Sequence, residues 1–394
     1  MLLNRIPFPL NDGGAIGAYN FVRGYVEAGC ELTCLAMNTT KHKIDVKDTG
    51  DAFAGVKNFI SVPVDNSIKP FSAFLNLLST RSYIIERFSS SDYEKALVTL
   101  LKENTFDIVH VDGLPPCLYI DTIRQNTSAK IVQRAHNVEY KIWERASEAD
   151  ANPVKRWYLN IQAHRLKTFE AEALGKVDTV LAISKEDETF IHQFQPKAKT
   201  IIVPAGINID ESKPIVQPSE LSLFFIGALD WLPNLQGLDW FLKDIWPKIH
   251  QAFPDLKFNI AGKKMPEQYY NFENLNVIAH GEVPSSIDFM NSYSVLLSPL
   301  VSGSGVRIKI IEAMAMGKVV LSTAVSAEGS GAVDSESILI AESADDFINQ
   351  IKKLEGDLVL LSKLSQNARA FALENFQNKN IIARLLDYYR QLCN

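Results

Sequence analysis

Between Ser302 and Gly317 the chain reads SGSGVRIKIIEAMAMG, which sets Gly303, Gly305, Arg307 and Lys309 ahead of an apolar, helix-like run carrying Glu312. Glycines allow close backbone approach and positive φ. A helix beginning here would aim its free N–H groups and positive dipole end into the loop. A phosphate suits such a place. Arg307 offers a planar fork for its oxygens and Lys309 a point charge. The competing expectation is bland: Lys309 and Glu312, three apart on one helix face, would form a surface ion pair worth about 0.2–0.5 kcal/mol.

Other polar groups gather at the ends of apolar runs in the first half of the chain. In RAHNVE (134–139), His136, Asn137 and Glu139 follow a strand-like run, and no apolar period accounts for them. They suit a binding cleft, with helix capping by Asn137 as the rival reading. His110 and Asp112 close FDIVHVD, and a histidine inside a strand is an ordinary core residue unless something else recruits it. Asp12, Gly13 and Gly14 lie between a short strand and a helix, where two glycines suit either a backbone-lined anion pocket or a tight turn. Ser184, with Asp187 three residues on, reads as a helix N-cap.

The elements that must position these groups alternate. Strand-like runs at 2–6, 31–37, 58–64, 106–111, 129–135, 179–184 and 200–205 are separated by helical stretches, among them 154–174 after Pro153 and before Gly175. The same alternation restarts at 221–228 and continues through 256–262, 275–282, 294–300, 319–323 and 336–342. Alternating strands and helices predict parallel sheets with crossover helices. The polar, proline-containing ESKPIVQPSE (211–220) reads as a linker. The expected organisation is α/β throughout: a domain over 1–210, a second over 221–376, and a last helix over 377–394 that packs back toward the first. Ligands of such sheets lie beyond the strands' carboxyl ends, so the cleft between two facing domains is the expected site.

Composition narrows the classes. With 394 residues, 46% hydrophobic and 22% charged, the chain has material for two cores. A net charge of −6 argues against nucleic-acid binding. The four scattered cysteines offer neither a zinc motif nor a disulfide framework, which fits a reducing, cytoplasmic setting. No apolar run is long enough to span a membrane. The first strand has little room before Pro7 and Pro9, so the chain either begins abruptly or lacks residues at its start.

The stretch GSGVRIKIIEAMAMGKVVLSTAVSAEG resembles the donor-binding segment of family 4 glycosyltransferases, whose two-Rossmann-domain fold is called GT-B. Seven more segments agree with that family in order and spacing: IPFPLNDGGAIGAYNFVRGYVEAGCELTCL, FDIVHVD, RAHNVE, VDTVLAISKEDETFI, IVPAGIN, FFIGALDWLPNLQGLDWFL and HGEVPSSIDFMNSYSVLLSPL. The resemblance covers nearly the whole chain. It implies an acceptor-binding first domain and a second domain for a nucleotide-diphospho-sugar such as a UDP- or GDP-sugar, with no cofactor and no metal.

By resemblance, Glu312 binds the ribose hydroxyls of the donor, and the Gly13–Gly14 loop approaches its phosphates or the acceptor. Where the family commonly has a glutamate near the transferred sugar, this chain has Ser304, beside Gly305. The family's basic residues after the first strand of the second domain are absent from GALDWLPN. Arg307 and Lys309 are the replacements expected for the diphosphate, with Lys263 or Lys264 assisting. Asp112 takes the position of a family histidine, and His110 substitutes for it or supports it. His136 or Asp112, both candidate catalytic residues, is expected to position the acceptor hydroxyl, and His110 and Glu139 to contact the acceptor.

The resulting expectation is a retaining, metal-independent glycosyltransferase acting on a glycan or lipid-linked acceptor. An epimerase of the same fold and a non-catalytic nucleotide-sugar-binding homologue are the alternatives. Residues 69–88, KPFSAFLNLLSTRSYIIERF, interleave aromatic, aliphatic and basic side chains. Two readings stay open there: peripheral contact with the inner face of a membrane, or a helical hairpin buried on its own domain.

Overall fold

The structure, a computed structural model, describes residues 1–10, 13–149, 152–209, 220–302 and 306–394. Its chain divides into two compact units, Met1–Gly206 with Ile381–Asn394, and Ile207–Asn380. Most of the linker segment lies outside the described residues.

The first unit holds seven strands: β1 (Leu2–Leu3), β2 (Thr33–Thr39), β3 (Asn58–Val64), β4 (Ile108–Asp112), β5 (Lys130–Arg134), β6 (Thr179–Ala182) and β7 (Thr200–Ile202). They pair in the order β3-β2-β1-β4-β5-β6-β7, every pairing parallel. In the second unit β8 (Leu223–Ile226), β9 (Phe258–Ala261), β10 (Val277–Gly281), β11 (Val295–Ser298), β12 (Val319–Ser322) and β13 (Leu339–Ile340) pair in the order β10-β9-β8-β11-β12-β13, again all parallel. Both are doubly wound Rossmann-like sheets. Each reverses direction once, between β1 and β4 and between β8 and β11.

Why these runs become strands is visible in their burial. Leu223, Phe224 and Phe225 of β8, and Val295, Leu296 and Leu297 of β11, are fully buried. A parallel strand covered by helices on both faces must be apolar at successive positions rather than at alternate ones. Every apolar run read as a strand forms one, though several strands stop short of the run's end. The remaining residues leave the ladder to build the loops at the carboxyl edge, where sites form.

Local chemistry sets the helix boundaries. Helix Pro153–Gly175 opens on Asn152, whose side chain accepts from the amides of Val154 and Lys155, with Pro153 at its first position. Ser184 accepts from Asp187 N at 3.1 Å and caps helix Lys185–Phe194, as its spacing suggests. The last helix, Asn378–Cys393, packs Ile381, Ile382, Leu385 and Tyr389 into the first unit's core.

Candidate functional site

In the second unit the sheet reverses at β8 and β11, and the chain after each strand is held close to its neighbours. Gly237, on helix Leu232–Trp240, lies so near the chain after β11 that a Cβ would meet the Pro299 carbonyl at 2.5 Å. Asn234, on the same helix, donates to the Ala228 carbonyl at 2.9 Å and accepts from Lys309 Nζ at 2.9 Å. That buried amide ties the loop after β8 to helix Ile308–Ala315. Arg307 is the N-cap of the latter helix and supplies no side-chain cap. A helix start of this kind leaves first-turn amides available to an outside acceptor.

The electrostatics there are one-sided. Lys309 Nζ lies 4.4 Å from the centre of the Phe225 ring, and its hydrogen-bond partner is a neutral amide. Burial, with Arg307 adding repulsion, pushes the Lys309 amine down to about 7. Arg307 is 6% exposed, with its guanidinium carbon 5.9 Å from the Trp231 ring centre. Burial also lowers its pKa, partly offset by Glu328. Glu312, one turn further on, is half-buried, and burial raises its carboxyl pKa. The Lys309–Glu312 surface ion pair is not formed; the lysine turns inward to Asn234 instead. Two cations and a carboxylate with raised pKa therefore surround an uncapped helix start.

The first unit presents a different arrangement at β4 and β5. Their parallel register sets Asp112 beside Arg134, and Arg134 Nη1 donates to Asp112 Oδ1 at 3.1 Å. His136, two residues past β5 Arg134, brings Nε2 to 3.0 Å from Asp112 Oδ2 and 3.0 Å from Arg134 Nη1. Asp112 is 0% exposed. Burial alone would raise its pKa, but His136, Arg134 and His110 together hold the carboxyl well below the usual carboxylate range. Arg134 fits beneath the first helix, Gly13–Glu27, with its guanidinium carbon 4.3 Å from the Phe21 ring centre. Gly17 makes the room, since a Cβ there would lie 2.9 Å from Arg134 Nη2.

Behind this group His110 Nδ1 lies 2.9 Å from the Tyr25 hydroxyl and 3.3 Å from that of Tyr389. Burial keeps the His110 pKa below the usual histidine value despite the pull of Asp112. The neutral ring is a packed, hydrogen-bonded part of the core.

Comparison with known proteins places this geometry. Residues 11–211 match the model described as Glycosyltransferase Family 4, and residues 220–357 that described as Glycosyl transferases group 1. The chain belongs to glycosyltransferase family 4. An uncharacterized 44.6 kDa protein in the cps region of Klebsiella pneumoniae is 26% identical over 295 residues, 68% of this chain and 71% of that protein. In fold, this glycosyltransferase is similar to the sucrose-phosphate synthase of Thermosynechococcus elongatus (TM-score 0.68, 16% identity, 99% and 98% of the two chains covered). It is also similar to Anabaena HepE in complex with UDP (TM-score 0.64, 12% identity, 99% of each chain covered). The GT-B fold expected from sequence is the fold observed.

The glycosyltransferase places its expected site residues unevenly. Arg307, Lys309 and Glu312 come together at the second sheet's reversal, and Asp112 and His136 come together in the first unit. Ser304 and Gly305 lie outside the described residues, as does Asp12. Gly13 and Gly14 open the first helix, and a Cβ on Gly13 would meet nothing within 4 Å. Lys263 is exposed after β9, while Lys264 pairs with Asp230 at 3.1 Å.

Two readings need correction. His110 was expected at the acceptor, but it is 3% exposed and bonded to two tyrosines, so it supports the core. Asp112, expected to be catalytic, is fully buried and paired with Arg134 and His136 instead of being open to a substrate. Asn137 is exposed and is not the cap of helix Glu139–Ala149. The buried Glu170 takes that place, accepting from the amides of Glu139 and Tyr140 at 3.0 Å each. Burial pushes Glu170 up to about 8, and the half-buried carboxyl of Glu139 is raised by burial as well.

Sequence reading passed over Arg134 and Asn234. Arg134 carried a usable signal, a charged residue at the carboxyl end of a strand run. Asn234 carried none, since asparagine near a helix start is ordinary.

Proposed function

We propose that this glycosyltransferase moves a sugar from a nucleoside-diphosphate sugar to a glycan or lipid-linked acceptor, with retention and without a metal. The observation that carries the reading is Lys309. It is a desolvated amine beside Arg307 at a helix start without a side-chain cap, and among the described residues its partner is an amide instead of a counter-charge. A diphosphate supplies the missing negative charge. The solved structures of Anabaena HepE with UDP and with UDP-glucose, which share this fold, support that choice of donor class.

In this reading Arg307 and Lys309 stabilise the charge that grows on the departing diphosphate, where fixed charges in a dry site are most effective. Glu312 accepts from donor hydroxyls, Lys263 assists at the phosphates, and Ser304 and Gly305, outside the described residues, are assigned to the donor by resemblance alone. In the first unit His136, held by Asp112 and Arg134, orients the acceptor hydroxyl, with Glu139 beside it. The Gly13–Gly14 helix start of the first unit offers its backbone amides to a phosphate or to the acceptor.

Titration of UDP and GDP against the wild type, Arg307→Ala and Lys309→Ala, followed by turnover of the matching nucleotide sugars, tests this. Each variant is expected to lose about 100-fold or more in turnover. Unchanged affinity and turnover in both would remove the diphosphate site. Incubation with donor alone separates transfer from epimerisation, because an epimerase converts the donor without any acceptor.

A further inference from the structure

The segment after β3 is built inside out. Phe71, Phe74, Leu75 and Leu78 follow the spacing with which a helix buries one face, yet they are 73%, 67%, 46% and 90% exposed. Ile68, just ahead of them, is 69% exposed. The residue this segment buries is polar: Asn76 is 6% exposed.

Polar bonds hold it in that inverted pose. Gln162 Nε2 donates to Asn76 Oδ1 at 3.0 Å, and Arg165 donates to the carbonyls of Asn76 at 2.8 Å and Leu77 at 3.1 Å. Gln162 Oε1 also accepts from Tyr83 N at 2.7 Å. Asn76 Nδ2 donates to Glu86 at 2.7 Å. The apolar side chains are thus held outward by a hydrogen-bonded base on helix Pro153–Gly175. That helix itself exposes Val154 and Trp157, at 71% and 57%. Exposed apolar side chains gathered on one short segment in this way mark an interaction site. The buried-hairpin reading therefore fails for residues 69–78, whereas Ile85, with Ile84 and Phe88 against it, does pack into the core.

Charge selects the partner. Residues 65–88 and 152–168 together hold seven basic and two acidic side chains, in a chain whose net charge is −6. Aromatic and aliphatic groups set among cations suit the headgroup region of an anionic bilayer, where apolar burial and electrostatic attraction add. We propose that this surface docks the glycosyltransferase on an anionic lipid membrane through Phe71, Phe74 and Leu78, with the exposed Lys155 and Arg156 of helix Pro153–Gly175 against the headgroups. The proposal deepens the acceptor half of the function above by selecting acceptors carried in or on such a membrane. It rests on that reading only for the link to catalysis.

The test is co-sedimentation of the full chain with phosphatidylglycerol–phosphatidylcholine vesicles and with pure phosphatidylcholine vesicles. Binding to the anionic vesicles is expected, weakening with added salt. It should fall about tenfold or more in the triple variant Phe71→Ser, Phe74→Ser, Leu78→Ser. Hydrolysis of the nucleotide sugar without acceptor should stay unchanged in that variant, which also shows that it folds. Equal partition with both vesicle types, or undiminished binding by the triple variant, would overturn the proposal. So would a concentration-dependent dimer that the same variant dissociates, because the surface would then belong to a second copy. Vesicle binding is read without turnover and nucleotide binding without vesicles, so the two readings fail separately.

Discussion

The two sheets meet the same topological problem with opposite electrostatics. At β4 and β5 of the first unit a buried carboxylate is neutralised by its own chain: Asp112 has Arg134 at 3.1 Å and His136 at 3.0 Å. At β8 and β11 of the second unit Lys309 is desolvated and receives one neutral amide oxygen. The first arrangement is internally complete. In the second, the proposed diphosphate would supply the counter-charge that Lys309 lacks among the described residues. Burying a charge is tolerable where it is paired, and otherwise the group shifts toward neutrality. That is the physical reason the Lys309 amine is down at about 7 while Asp112 stays ionised. A cation removed from the first unit should therefore cost stability, and one removed from the second should cost ligand affinity.

The sharpest break comes from Arg134→Met. It leaves the buried Asp112 with the histidines alone and is expected to cost about 3 kcal/mol in denaturant unfolding, the lower end of the penalty for breaking a buried ion pair from one side. A midpoint close to wild type would show that the pair is not what holds this edge. The matching change, Lys309→Met, should leave unfolding nearly unaltered while UDP or GDP affinity drops about tenfold to 100-fold, or about 1.4–2.8 kcal/mol.

pH sharpens the same contrast. Nucleotide diphosphate affinity should weaken as pH rises through about 7 and Lys309 loses its proton. Lys309→Arg should flatten that profile, since a guanidinium stays charged.

Glu170 offers a smaller test in the first unit. Its folded pKa is raised from 4.5 to about 8, so the folded state holds the proton more tightly. Stabilisation from the protonated carboxyl is full below 4.5 and lost as pH rises through about 8. Glu170→Gln should lower stability by about 1–2 kcal/mol through the weakened helix cap, and flatten stability against pH in that window. The smallest effect belongs to Tyr389→Phe, which removes one hydroxyl from the His110–Tyr25 group. It should cost about 1 kcal/mol in thermal or denaturant unfolding and leave nucleotide affinity untouched.

How far the sequence could be read varies along the chain, and the reason is local. Helix Pro153–Gly175 announces itself through Asn152, Pro153 and a closing glycine, because caps depend on neighbours a few residues away. The strands announce themselves because a doubly covered sheet requires short, mainly apolar runs. Arg307, Lys309 and Glu312 are legible for a similar reason, since one helix start holds all three. Glu170 as the cap of a helix that begins 31 residues earlier is not legible, for no local pattern links it to Glu139 N. The fate of 69–78 was equally hidden: its apolar spacing fits burial, and only Gln162 and Arg165, held against Asn76, turn that face outward.

By itself the sequence determined two parallel α/β sheets, where their strands begin, and a basic helix start before Glu312, because periodicity, capping and spacing act over a few residues. Only the tertiary structure decided which charges are partnered. It took His110 into the core beside Tyr389, 279 residues away, and joined Asp112 to Arg134 through strand register. It also turned Lys309 from the nearby Glu312 to the distant Asn234. Charge pairing and burial depend on through-space distance and local dielectric, and those exist only once the chain has closed.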